Sequence, residues 1–307
     1  MLPLTGGLYI GWGIGANDAS NVFGTAVESG IIRYRNAAML CAAAVIVGAV
    51  LQGQEGIETL SSLTEHNSRT LLIVSLSAAF TVTIMTFLGL PISTSQAMVG
   101  AIAGIGLATD NMQWNGLVKC GICWAATPVG AMVISVVVYI ILRTAIRHIP
   151  MSILTRDKLL WGGLIVVGVY GSYALGANNV ANATGIFAGH VEGIDDQQLA
   201  LIGGLAIAAG VLTGSRIVMK TVGKGIMKMD AFTALVAVCS MSLTVHIFAM
   251  VGVPVSTSQG IIGAIIGLGL IKGVHSIHFK AIKPIMCGWI LTPAISLILS
   301  AAGYAIF

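Results

Sequence analysis

Charge is nearly absent from ten long apolar stretches of this chain, and that absence constrains its fold more than any other feature. The stretches fall at 3–29, 37–53, 70–89, 93–109, 116–142, 159–189, 198–214, 232–252, 256–271 and 282–306. A helix needs about 20 mainly apolar residues to cross a bilayer, and most of these stretches reach that length or come close to it. Charged residues make up 8% of the 307 positions and hydrophobic residues 56%, with a mean hydropathy of +0.95. Soluble domains do not have such a composition. The expectation is an all-α polytopic membrane protein.

Within this apolar background two polar motifs occur twice. GANDASNVFG (15–24) is followed by PISTSQAMVGAIAG (91–104), and GANNVANATG (176–185) by PVSTSQGIIGAIIG (254–267). The second pair agrees at 9 of 14 positions, which marks a duplication. The halves divide at 1–150 and 151–307. Asn, Asp, Ser, Thr and Gln are costly inside a bilayer, so the same set at the same place in each half points to a paired functional site.

Loop charges give the topology. If each stretch changes sides, loops 30–36, 143–158, 215–231 and 272–283 share one face and hold all of the 15 basic residues except Arg69 and Lys119. The other face carries Glu55, Glu58, Glu65, Asp110, Glu192, Asp195 and Asp196. Cytoplasmic loops collect Lys and Arg, so the basic face is expected inside the cell and both termini outside. The formal charge of +4 is then a topology signal rather than a nucleic-acid footprint, and 215–231 reads as a solvated basic loop. Five stretches per half is an odd number, so the second half enters the membrane from the opposite side. Inverted repeats around a midplane site are the architecture of secondary transporters. Residues 97–109 and 260–271 are too short to cross about 30 Å of hydrocarbon, so 70–109 and 232–271 are expected as re-entrant hairpins or broken helices.

The motifs suggest complementary chemistry. Asn17 and Asn21 are four residues apart and share a helix face, and Gly13 and Gly15 just before them allow a local helix break. Asp18 is the one acidic residue well inside an apolar stretch, and no Lys or Arg lies in any of the four motifs. A small cation held by Asp18 with Asn and Thr oxygens would compensate it. The PxSTSQ blocks read as helix starts after Pro91 and Pro254, where capping serines, free backbone amides and the helix dipole favour an anion. An oxyanion beside Asp18 requires a cation between them, so binding of the two is mutually dependent, and that dependence is cotransport. The glycines of GAIAG (100–104) and GAIIG (263–267) read as close-packing positions.

Cysteine and histidine add little. Cys120 and Cys123 have CxxC spacing without a second pair to complete a metal site. His66, His148, His190, His275 and His278 fall in loops, and His246 sits alone inside an apolar stretch as a packed polar residue. An intramembrane enzyme would need a nucleophile with a base, or paired carboxylates, and the motifs supply neither. An anion channel could use the same polar groups, but inverted repeats with broken elements fit a carrier better.

GANDxxNxxGT followed by a PxST block, repeated once and accompanied by WAATP (124–128) and WILTP (289–293), resembles the inorganic phosphate transporter (PiT) family. That family includes phosphate symporters driven by sodium or protons and some sulfate permeases. The resemblance covers most of the chain and implies an inverted-repeat carrier in the plasma membrane, homodimeric, importing phosphate with a cation. By position it implies a substrate set of Asn21, Ser93, Thr94, Ser95, Gln96, Asn182, Ser256, Thr257, Ser258 and Gln259. The implied cation set is Asn17, Asp18, Asn178 and Asn179 with Thr94 and Thr257, and Glu58 matches a further polar position. Two departures stand out. Asn179 replaces an acidic residue usual in the family, and Gln96 and Gln259 stand where many members have His. Glutamine does not titrate, which favours Na+ over H+ as the coupling ion, with an H+-coupled sulfate or other oxyanion permease as the alternative.

Overall fold

The computed structural model describes residues 2–87, 92–221, 229–273 and 279–307, and its regular structure is helical throughout. In the first half the helices are α1 (Leu2–Glu28), α2 (Tyr34–Gln52), α3 (Gln54–Ser61), α4 (Ser68–Phe87), α5 (Thr94–Ala108) and α6 (Trp114–His148). The second half holds α7 (Ile153–Thr184), a 3-10 turn (Gly185–Phe187), α8 (Asp196–Thr221), α9 (Ala231–Met250), α10 (Thr257–Lys272) and α11 (Phe279–Ile306). Each of the ten apolar stretches is a helix. The short α3 is an addition, an amphipathic helix of about two turns, too polar to register as an apolar run.

Seven described helices are long and apolar enough to cross a membrane: α2, α4, α6, α7, α8, α9 and α11. The 27 residues of α1 also provide the length, but its polar motif dilutes its hydropathy. By contrast α5 and α10 have 15 and 16 residues, which at 1.5 Å per residue give about 22–24 Å, short of the hydrocarbon thickness. These two begin inside the protein, at the buried Thr94 and Thr257. Each packs on its preceding helix, α5 on α4 and α10 on α9.

The expected break at Gly13 and Gly15 does not occur. Both α1 and α7 run unbroken through their polar motifs. The glycines serve close approach instead. A Cβ at Gly15 would collide with the Ile207 carbonyl of α8, and one at Gly176 with the Val45 carbonyl of α2. Gly210 and Gly48 return the favour against the Trp12 and Tyr173 carbonyls. Backbones this near each other exclude side chains larger than hydrogen, so the motif glycines are fixed by packing between α1 and α8, and between α7 and α2.

The short helices lie against the last helix of the other half. Gly100 and Gly104 of α5 face the Pro293 and Leu297 carbonyls of α11, and Gly263 and Gly267 of α10 face the Pro128 and Met132 carbonyls of α6. Each WxxTP segment therefore packs on the glycine ladder of the opposite half. The hydroxyls of Thr127 and Thr292, beside the helix-interior prolines, donate to the Cys123 and Gly288 carbonyls at 2.6 Å. Exchanging the two halves maps this set of helix pairs onto itself.

Candidate substrate and ion site

The four polar motifs converge. α1 and α7 pack on each other, with Phe23 of α1 against Gly168 and Val22 against Gly171. The N-termini of α5 and α10 abut them. Ser93 and Ser256 cap these short helices, each accepting from the backbone amide three residues on, Gln96 and Gln259, at 3.3 Å. Pro254 lies just ahead of α10, and its carbonyl accepts the Trp124 indole N–H at 3.4 Å; Pro91 lies outside the described residues.

Each motif helix bonds to the short helix of the opposite half. The Asn21 amide donates to Thr257 Oγ1 at 3.2 Å and to Ser258 Oγ at 3.3 Å. The Asn182 amide donates to Ser95 Oγ at 2.9 Å, with a second bond to Asn179 Oδ1 at 2.9 Å. Asn21–Ser258 and Asn182–Ser95 are equivalent positions of the two repeats, so the pairing is crossed. Asp18 is buried and hydrogen-bonded to Thr257. The two short-helix tips also touch, Ser95 Oγ donating to the Val255 carbonyl at 3.2 Å.

Burial sharpens the picture. Asp18, Asn21, Ser93, Thr94, Ser95, Gln96, Asn178, Asn179, Asn182, Ser256, Thr257 and Gln259 are all buried, whereas Asn17 and Ser258 are half-buried. Four side-chain atoms of this set have no protein partner: Gln96 Oε1, Gln259 Oε1, Asn182 Oδ1 and Asn179 Nδ2. Buried polar atoms are almost always satisfied, so these four are hydrogen-bonding capacity of the motifs that the protein itself does not use. Three are acceptors and one is a donor, a mixture suited to a cation together with an oxyanion that carries a proton. Among the described residues no Lys or Arg side chain hydrogen-bonds to the motifs.

One contact breaks the symmetry of the halves. The Asn178 side chain grips the backbone of Val255, donating to its carbonyl at 2.7 Å and accepting from its amide at 2.9 Å. The equivalent residues are Asn17 and Ile92. Among the described residues they form no such clamp; the Asn17 carbonyl accepts the Ser20 hydroxyl of the same helix at 2.6 Å. The sequence singles out Asn178, but its partner is a backbone group, which residue types cannot reveal.

Glu58 stands apart. It lies on α3, held by the Gln54 amide at 3.0 Å, and lines a cavity of about 610 Å³ with Glu55 and Gln52. His246 is a packed polar residue bridging Tyr170 at 2.7 Å and Gln52 at 2.6 Å. His66 and His190, read only as loop residues, join two loops from different halves, His190 Nε2 lying 2.9 Å from the His66 carbonyl. His275 and His278 lie outside the described residues.

Residues 14–162 and 155–300 match the phosphate transporter family profile. A candidate phosphate permease of Methanocaldococcus jannaschii is 30% identical over 97% of this chain and 94% of its own length. The sulfate permease CysP of Bacillus subtilis is 32% identical, covering 95% of this chain and 84% of its own. Among solved structures, the sodium-dependent phosphate transporter superposes with a TM-score of 0.87 at 23% identity, over 99% of this chain and 98% of that one, which establishes a shared fold. With the family profile covering nearly the whole sequence, this chain belongs to the phosphate transporter family.

Proposed function

We propose that this chain is a secondary active carrier that imports inorganic phosphate by symport with Na+, working by alternating access between two inverted repeats. The crossed pairing of each motif helix with the short helix of the other half is the observation that carries this reading. A site built in this way cannot be occupied without joining both halves. Asp18, with Thr257 and Asn17 on one side and Asn178, Asn179 and Thr94 on the other, supplies the oxygens for the cation. Ser93, Ser95, Gln96, Ser256, Ser258, Gln259, Asn21 and Asn182, with the amides of two helix N-termini, solvate the anion. The cation offsets the repulsion between Asp18 and the oxyanion, which makes each ligand a condition for the other.

The clamp at Val255 supports alternating access. One hairpin tip is fastened and its repeat-equivalent is free, as expected of a two-state device caught in one of its states. Inversion places these two tips toward opposite sides of the membrane, both termini outside and the basic loops in the cytoplasm, and the working unit is a plasma-membrane homodimer.

A sulfate carrier is the second reading, favoured by the identity to CysP. Uptake of labelled phosphate into proteoliposomes tests both readings. Phosphate accumulation driven by a sodium gradient, saturating at low substrate and resistant to excess sulfate, is the expected outcome. Accumulation driven only by external acid would reassign the ion, and potent sulfate competition would reassign the substrate. Flux that fails to saturate would point to a channel.

A further inference from the structure

A cavity of about 640 Å³ opens far from the crossed motifs, where the end of α6, the link to α7 and the adjoining ends of α9 and α10 meet. Arg143 and Arg147 reach it from the last turns of α6, four residues apart on one helix face, and Arg156 reaches it from the first turn of α7. Lys272 is also there, but its charge is already taken by Asp230 at 2.9 Å. Asp230 in turn caps α9. Burial raises its pKa, yet the Thr233 bonds and Lys272 outweigh that and hold it below the usual carboxylate range. The three arginines have no carboxylate at ion-pair distance among the described residues, and Asp157 is the one other acid in the lining.

The floor is aromatic. Tyr139 is buried edge-to-face against Phe232 with ring centroids 5.3 Å apart, and the Arg143 guanidinium lies 6.0 Å from the Tyr139 ring centre. The chain beside the rim is oily: Ile149, Ile153 and Leu154 are 54%, 80% and 74% exposed. Large aliphatic side chains left open next to arginines belong at the boundary between head groups and acyl chains, not in bulk water.

We infer that this cavity binds the phosphate head group of an anionic lipid, with Arg143, Arg147 and Arg156 as its ligands. Guanidinium forks match phosphate oxygens in pairs, and basic pockets between membrane helices are suited to such head groups. A basic rim that merely fixes topology needs charge alone. It needs neither a cavity nor an aromatic floor. The inference is independent of which anion the carrier moves. Its consequence for the carrier lies in α10, which ends at Lys272 in this cavity and begins at Thr257 in the crossed motifs.

The test uses the full chain in phosphatidylcholine nanodiscs, titrated with phosphatidylglycerol and read by native mass spectrometry and melting temperature. Saturable binding of the anionic lipid is expected, weakened at least about tenfold in the Arg143→Gln, Arg147→Gln, Arg156→Gln triple variant. An unchanged melting temperature in pure phosphatidylcholine shows that this variant folds. The triple Lys variant keeps the charge but not the fork, and should fall between; it carries the test alone if the Gln variant misfolds. Arg33→Gln with Arg35→Gln, on the same basic face but outside the cavity, should bind lipid as the native chain does. Equal loss in that control would reduce the effect to diffuse surface charge and overturn the inference. Displacement of the lipid by millimolar inorganic phosphate would overturn the lipid assignment in favour of a soluble anion, and absence of saturable binding would remove the site.

Discussion

Asp18 and Asn179 occupy the same register in the two copies of one motif and differ by one unit of charge. Asp18 is paired with Thr257, whereas Asn179 accepts from Asn182 and leaves its own amide nitrogen unpartnered. Within the proposed cation set, Asp18 therefore brings a full charge, whereas Asn179 brings only a neutral oxygen. Replacing Asp18 with Asn removes the only carboxylate of the motifs. With charged hydrogen bonds worth about 1.5–3 kcal/mol, uptake at low sodium should fall roughly 10- to 100-fold. Asn179→Asp should have the opposite character. A second buried carboxylate requires a second counter-ion, so the Hill coefficient for Na+ should rise from about one toward about two. An unchanged sodium dependence would show that Asn179 lies away from the cation path. These positions were legible from residue type, since Asp18 is the one acidic residue well inside an apolar stretch and Asn179 stands at its place in the second copy of the motif. His66 was not, because its character comes from burial. Both of its ring nitrogens lack partners, and burial, then the charge of His190, depress its pKa from 6.5 to about 4. His190 and Glu65 are the titratable groups beside it in the cavity they line with Gln113. Between those two pH values the opened loop takes up a proton that the packed loop does not, so loop stability rises with pH and is lost on acidification. The protection factors of 62–67, exchange rates normalised to the intrinsic amide rate at each pH, should fall from pH 7 to pH 5 in the native chain, and much less in His66→Leu.

At the scale of elements, the close contacts are made by glycine rows and prolines rather than by large side chains. Gly100 and Gly263 lie so near the Pro293 and Pro128 carbonyls that an added Cβ has no room, and both obstacles are backbone. Gly100→Ala or Gly263→Ala should lower stability by about 1–3 kcal/mol, since overpacking against backbone cannot relax by a rotamer change. Gly162→Ala is the control. Nothing lies within 4 Å of its Cβ position, so only the higher helix propensity of Ala acts and the melting temperature should hold or rise. Equal melting temperatures for all three would mean that the interfaces are looser than the contacts imply. The existence of these elements could be read in the chain, including the shortness of α5 and α10. The glycine rows could be read as packing surfaces, but their partners could not, because contact between opposite halves leaves no trace in local periodicity. The same limit explains the misjudged helix break. Gly13 and Gly15 permit either a kink or a close neighbour, and only the position of α8 decides between them.

For the whole molecule, the proposed inversion of the repeats can be tested by sidedness. On the proposed topology the loop charges divide the chain into two faces, and an odd number of stretches per half would turn the second copy over. The two hairpin tips, Ile92 and Val255, would then face opposite sides, Val255 outward. The Asn178 side chain holds the Val255 backbone by two hydrogen bonds, and among the described residues Asn17 makes no comparable pair. A carrier in which one tip is fastened and the other free should open differently when each clamp residue is removed. Val255→Cys in a cysteine-free chain should react slowly with an impermeant thiol reagent added outside intact cells, because the native residue is fully buried. Adding Asn178→Ala removes both bonds, and at about 1 kcal/mol or more for each the labelling rate should rise roughly 10- to 100-fold. Asn17→Ala, on the open side, should leave that rate near the native one. Labelling that needs permeabilised cells would turn the topology over, and equal acceleration by both variants would show that the two tips move together rather than in alternation.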